Sequence, residues 1–325
     1  MSLPLRVAEA PVSEWTESPA DFHDPVLVRE VMEFLTPSGK GVYLDGTVGG
    51  GGHSAILLED CADCRIIAVD RDSDALEAAR ARLAAFGARV RFIQARFDEA
   101  LRSADLSEPL AGVLLDLGVN SHQLDSDRRG FAFRVGVDLD MRMDGARAGE
   151  PSAAEILNSE SEAELARIFH EYGEEPRSRR LARVVVERRA ATPLRTSDDL
   201  VAVLYKTLGR APKAKEKARI FQALRIVVNQ ELVSLERGLT EFRDVMAPDA
   251  RMVVISYHSL EDRLVKNAFR DWSRSCICPP GMPVCTCRGA PLGKVLTRKA
   301  VRPSDVEVHR NPRSRSARLR AWRKA

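Results

Sequence analysis

Three short apolar runs near the start of the chain each close on an acid: VYLD at 42–45, RIIAVD at 65–70 and GVLLD at 112–116. Unbroken apolar runs of this length suit parallel strands covered on both faces, and the stretches between them carry the 3.6-residue period of amphipathic helices. The pattern predicts an entry helix over 23–35, strands at 41–45, 65–70, 89–94 and 111–116, and helices at 54–60 and 73–86, the second capped by Ser73. From about 130 to 245 it is helical throughout, with helices at 161–172, 176–190, 197–208 behind a Ser197 cap, and one long helix from about 214 to 246. Strand and helix then alternate again: ARMVVISYHS at 250–259, a helix over 260–273, and strand candidates at 292–297 and 317–322. An α/β architecture is the economical reading. It has a seven-stranded Rossmann-like sheet from 21–129 and 246–325, an all-helical insertion at 130–245 and a disordered tail at 1–20.

The first acid opens straight into glycines, LDGTVGGGGHS at 44–54, where missing side chains let the backbone turn tightly and approach a ligand. About 25 residues on, Asp70 closes the second run at the spacing of an acid that holds ribose hydroxyls. A dinucleotide enzyme would want G-x-G-x-x-G, but 49–54 reads GGGGHS, and an acid at Asp45 would repel a pyrophosphate. Asp45 suits an ammonium or sulfonium ligand instead, which favours S-adenosylmethionine and the class I methyltransferase sheet over a nicotinamide oxidoreductase.

Charge changes the picture at one end. The net charge is only +3, yet residues 294–325 hold eleven Lys or Arg against two acids, a distribution that attracts phosphates beside a methyltransferase core. On the long helix, Arg219, Gln222, Arg225 and Asn229 form a polar row beside an apolar stripe, either an ordinary solvated face or an RNA-facing one. No apolar run is long enough to span a membrane, and the first twenty residues lack the apolar core of a signal peptide, so a cytoplasmic protein is expected. Four of the six cysteines, Cys276, Cys278, Cys285 and Cys287, form two C-x-C pairs across a Pro-Gly loop. Reduced thiols with no metal are the default in a cytosolic protein, and a tetrathiolate zinc knuckle is the alternative. Cys61 and Cys64 read as an incidental C-x-x-C.

Taken in order, HDPVLVREV (23–31), DGTVGGGGHS (45–54), AVDRD (68–72), LLDLGVNSHQLD (114–125), RGFAFR (129–134), LDMRMD (139–144), FQALRIVVNQEL (221–232) and SYHSLEDRLVK (256–266) resemble the ribosomal RNA small subunit methyltransferase H (MraW) family. The resemblance runs over nearly the whole chain from His23. It implies S-adenosylmethionine-dependent methylation of a cytidine N4 in the decoding centre of 16S rRNA, with the 30S subunit as partner. It carries cofactor contacts onto Gly51, Gly52, His53, Asp70, Phe97, Asp116 and Gln123. The alternatives are that Phe97 is simple core and that His53 caps its helix and binds nothing. Catalysis of amine methylation needs the nitrogen oriented and its proton accepted, for which Asp116, Asp140 and His258 are candidates, His258 being as well suited to a structural role at a strand end. Arg142 is a candidate for holding RNA backbone, or for a salt bridge to Asp140 or Asp144. The chain departs from the family in carrying Asn120 where Ser is usual, which keeps a hydrogen-bonding side chain. It also lacks the Pro-Pro-aromatic of amino-methylating DNA enzymes.

Overall fold

The computed structural model describes residues 25–35, 39–120, 123–124, 129–145, 150–278, 281–282, 284, 286–287 and 289–325. The expected tail at 1–20 and Cys285 lie outside them. Seven strands form one sheet in the order β3-β2-β1-β4-β5-β7-β6. They are β1 (Lys40–Asp45), β2 (Asp63–Asp70), β3 (Val90–Gln94), β4 (Leu110–Asp116), β5 (Met246–Ser256), β6 (Gly293–Val295) and β7 (Arg318–Lys324). The first five are parallel, and β7 runs antiparallel between β5 and β6. This is the Rossmann-like order expected of a class I methyltransferase sheet, with the crossover between β1 and β4 opening a crevice at their carboxyl ends.

Alternation within the strands explains why they read as apolar throughout. Val42, Leu44, Met252 and Val254 enter a core on one face, while Tyr43, Val253 and Ile255 enter a second core on the other. Helices α1 (Val28–Leu35), α2 (Gly52–Asp60) and α3 (Ser73–Arg82) cover the second face, through residues such as Val31, Leu57 and Leu76. The short helix α4 (Ala100–Ala104) lies on the first. The cap of α3 is Asp72, one residue before the expected Ser73: its carboxylate accepts from the Asp74 N–H at 3.2 Å.

Among the described residues no strand lies between β4 and β5. Helices α5 (Ala153–Ser159), α6 (Glu162–Glu171), α7 (Ser178–Ala191), α8 (Ser197–Leu208) and α9 (Ala214–Val228) surround a core of their own, built on Leu157, Phe169, Val185, Leu204 and Leu224. The segment 129–145 joins it through Phe131, Leu139 and Met141. Thr196, with Asp199 as the return partner, caps α8 in place of the expected Ser197.

The long helix predicted over 214–246 is two helices, α9 and α10 (Glu231–Val245), broken where Gln230 takes φ 51. Asn229 explains the break: its amide donates to the Met141 carbonyl (2.7 Å) and accepts from the Met143 N–H (2.9 Å), tying the turn to a segment 86 to 88 positions earlier in the chain. Beyond it, Leu235, Leu239 and Phe242 of α10 pack in the core of the sheet, so the helical core ends with α9. Helix α11 (Ser259–Trp272) completes that face of the sheet, and α12 (Asp305–Arg310) precedes β7. No described helix is long and apolar enough to cross a membrane.

Candidate functional site

The carboxyl ends of β1, β2 and β4, the glycine loop, the start of α10 and the end of β5 enclose a cleft of about 1260 Å³, the open solvent at its mouth included. The loop is shaped by backbone requirements. Gly49 sits at φ 51, and its N–H donates to Asp70 Oδ2 at 2.9 Å, which fastens the loop to β2. Gly51, at φ 80, starts α2 and would drive a Cβ against Leu83, so it shapes the turn from outside the cleft lining. Gly52 lines the cleft, where a Cβ would press on Pro25 at 3.0 Å.

Of the three strand-end acids, two reach the cleft. Asp70 and Asp116 line it, whereas Asp45 turns inward, accepting from Ser54 Oγ (2.6 Å) and the Thr47 N–H (3.3 Å). The expectation that Asp45 meets the ligand is therefore corrected: a carboxylate at this position holds the base of the loop, because the Ser54 hydroxyl at the head of α2 lies directly behind it. All three acids are pushed up by burial, Asp45 and Asp70 to about 6 and Asp116 to about 7. Asp70 accepts from the Gly49 N–H on Oδ2 and from the Asp72 N–H on Oδ1, with a further backbone hydrogen bond from Arg71, and lines the cleft.

Asp116 has the most specific surroundings. Its backbone N–H donates to Thr47 Oγ1 (2.6 Å) and its Oδ1 accepts from the Tyr257 hydroxyl (3.0 Å). His53 Nδ1 stands 3.8 Å from Oδ2. Burial lowers the His53 pKa, and Nε2 lies 2.9 Å from the Val26 carbonyl, so the neutral ring carries its proton on Nε2 and turns a bare Nδ1 toward Asp116. Phe97 lines the cleft with its ring tilted against Phe242, so it is both core and wall. Gln123 also lines it, its amide donating to Asp72 (2.8 Å) and the Met143 carbonyl (3.1 Å). Asn120 fills the hydrogen-bonding role expected of a Ser there, accepting from the Gln123 N–H at 2.8 Å.

Two catalytic candidates fall away. Asp140 lies outside the cleft lining in a two-pronged pair with Arg142 (2.9 and 2.6 Å), which holds its carboxyl below the usual range although burial works the other way. His258 caps α11 with Nε2 3.0 Å from Glu261 Oε1. Burial opposes its charge, but hydrogen bonds to Glu231 and Glu261 prevail and push it up to about 9, so at neutral pH it has no lone pair for a substrate proton. The long 3.4 Å approach of the Glu261 N–H to Nδ1 is the contact given up on protonation. The RNA candidates on the polar row are also engaged. Arg225 makes a two-pronged buried pair with Glu231 (2.8 Å twice) and Arg219 pairs with Glu175 (2.9 Å). Arg225 and Asn229 thus belong to an internal seam, while Arg219, partly exposed, is paired with a buried acid 44 positions away.

Exposed cations stand elsewhere. Part of the basic end is strand β7, with Arg318 and Arg320 paired to Asp262, but Arg298, Lys299, Arg302 and Arg315 are exposed. Their segment flanks the cleft edge of the sheet, since Arg318 pairs in register with Ser256, the last residue of β5, and Glu307 of α12 accepts from the Leu27 N–H beside the cleft wall. Tyr257, Thr47, Glu231 and Glu261 are cleft residues that sequence reasoning missed. Tyr257 had a signal: it sits at a strand end beside the His258 that was chosen.

The thiols divide likewise. Cys61 and Cys64 are buried and joined as a disulfide, not incidental, while the Sγ atoms of Cys276, Cys278 and Cys287 lie within 4.8 Å of one another.

The sequence profile of the MraW methylase family matches residues 20–325. The chain is 49% identical to the ribosomal RNA small subunit methyltransferase H of Gemmatimonas aurantiaca, over 94% of this chain and 96% of that protein. It is 48% identical to the protein of that name from Pelobacter propionicus and 45% to that from Heliobacterium modesticaldum, in both cases over 93% of this chain and 98% of the relative.

Proposed function

Because the chain belongs to the MraW methylase family, we propose that it transfers a methyl group from S-adenosylmethionine to the N4 amine of a cytidine in the decoding centre of 16S rRNA, within or on the way to the 30S subunit in the cytoplasm. The observation that carries this reading is the Asp116 carboxylate, set at the end of a central strand in the cleft, held by Tyr257 and raised to about 7.

The cleft's donors and acceptors fit the cofactor. Asp70 offers lone pairs for two ribose hydroxyls, Phe97 an apolar wall for a purine, and Gly49 and Gly52 a close backbone approach. Asp116 and Gln123, on the same cleft wall, would meet its methionine end. When bound, S-adenosylmethionine supplies a sulfonium methyl that an amine attacks in line. The chain's own contribution is to hold the amine and take its proton. Asp116 accepts a hydrogen bond from the amine and then the proton, and a pKa near operating pH suits a general base. Tyr257 fixes the carboxylate's rotamer and steadies its charge, while neutral His53 faces the other oxygen. The target base has to leave its stack to reach Asp116, and the exposed cations at 298–315 are placed to hold the flanking phosphates.

The test is incubation of the full chain with isotopically labelled S-adenosylmethionine and either 30S particles or free 16S rRNA from cells lacking the modification, followed by nucleoside mass spectrometry. N4-methylcytidine is the expected product. Cofactor binding without label in either RNA would sink the reading in favour of an RNA-binding assembly factor.

A further inference from the structure

Between Ser273, which caps α11, and Leu292, just before β6, the chain runs without helix or strand among its described residues. The base of this excursion is pinned by the Leu292 N–H donating to the Trp272 carbonyl at 2.8 Å. Its described apolar residues do not pack into a core: Ile277, Met282 and Val284 are 48%, 45% and 67% exposed. A loop of this length without internal packing needs another source of order, since closing and fixing it costs conformational entropy that exposed side chains do not offset.

What converges inside the loop is sulfur. The Sγ atoms of Cys276, Cys278 and Cys287 lie within 4.8 Å of one another although ten residues separate the outer two. Three thiolates on a tetrahedral zinc, at about 2.3 Å each, sit about 3.8 Å apart, so a small contraction closes the set. A backbone amide already points at one of the sulfurs. The Ile277 N–H donates to Cys287 Sγ at 3.3 Å. Amides aimed at sulfur stabilise thiolates, the form that binds metal.

We propose that Cys276, Cys278 and Cys287 form a structural zinc site that staples this loop. Its role is conformational. Helix α11 runs back from the cleft, and β6 pairs with Lys324 at the far end of β7, so the loop lies at the edge of the sheet away from Asp116. The other group whose ligand atoms converge, Glu231, His258 and Glu261, differs in that Arg225 already neutralises Glu231, and the guanidinium would repel a cation.

The test uses the full chain, purified under reducing conditions from zinc-containing medium, with metal content read by plasma mass spectrometry. About one zinc per chain is expected, falling at least about tenfold in Cys276→Ser and in Cys287→Ser, with S-adenosylmethionine affinity unchanged. Should a serine variant aggregate, wild-type protein titrated with an organomercurial in the presence of a zinc indicator gives the same reading: about one equivalent released as these thiols react. Absence of stoichiometric zinc, zinc retained in the serine variants, or iron in its place would each overturn the proposal.

Discussion

The buried carboxylates in and beside the cleft are tuned in opposite directions. Asp45, Asp70 and Asp116 have no lysine or arginine partner among the described residues, and burial raises them to about 6, 6 and 7. At the start of α10, burial works on Glu231 in the same sense, yet Arg225 first and then His258 pull it down to about 2. The chemistry of the side chains is alike and their burial is alike. The difference is the cation, and it separates a group able to exchange a proton from one that locks α9, α10 and α11 together. The helical core and the sheet meet along the locked group, so the reactive carboxylate is held by a scaffold that does not titrate with it.

The sharpest break of this contrast is to remove the charge that titrates. Asp116→Asn should lower turnover by about 10²–10⁴ with cofactor affinity within a few-fold, and should leave the fold about 0.5–2 kcal/mol more stable at neutral pH, because a costly buried charge is gone. Full turnover at saturating cofactor would remove Asp116 from the mechanism. On the other side, Arg225→Met leaves Glu231 buried without its cation, and denaturant unfolding should show a loss of about 3–5 kcal/mol. A loss under about 1 kcal/mol would mean that His258 alone suffices to hold Glu231.

The pH profile sharpens the same difference. Turnover should rise with pH through about 7 as Asp116 loses its proton, then level off. The stability term has the opposite sign. The folded pKa lies above the unfolded value, so the folded chain binds the extra proton, and this acid's contribution falls as pH rises from about 4 to about 7. Tyr257→Phe removes a hydrogen bond that favours the charged carboxylate, so the midpoint of the turnover profile should move upward, with a loss of about tenfold at neutral pH. An unmoved midpoint would assign the titration to another group. The smallest effect is expected at Arg219→Ala, where the arginine is partly exposed and Glu175 is buried but keeps the Arg177 N–H, so the loss in thermal unfolding should be about 1–2 kcal/mol.

Much of this was legible in the chain. The acid-terminated apolar runs located β1, β2 and β4, since a strand covered on both faces must be apolar at every position, and the glycines after Asp45 announced the ligand loop. Asp70, Asp116, Phe97, Gln123, Gly52 and His53 were all named and all line the cleft. The misplaced residues share a cause. Asp45 was expected in the cleft, Asp140 and His258 in catalysis and Arg225 on RNA, and each is held by a side chain only a few positions away, Ser54, Arg142, Glu261 and Glu231, a pairing that spacing allowed and did not decide.

The sequence by itself determined the strand order's raw material, the glycine loop, the strand-end acids and the helical stretch between β4 and β5, because period and backbone freedom are local properties. Only the tertiary structure decided where the long helix breaks, which carboxylates keep open lone pairs and which cations face solvent. Those depend on Asn229 meeting Met141 and Met143, on Tyr257 reaching Asp116 across 141 positions, and on buried acids finding or lacking a counter-charge. Electrostatic identity is set by what lies within a few ångströms after folding, and spacing along the chain carries no record of it.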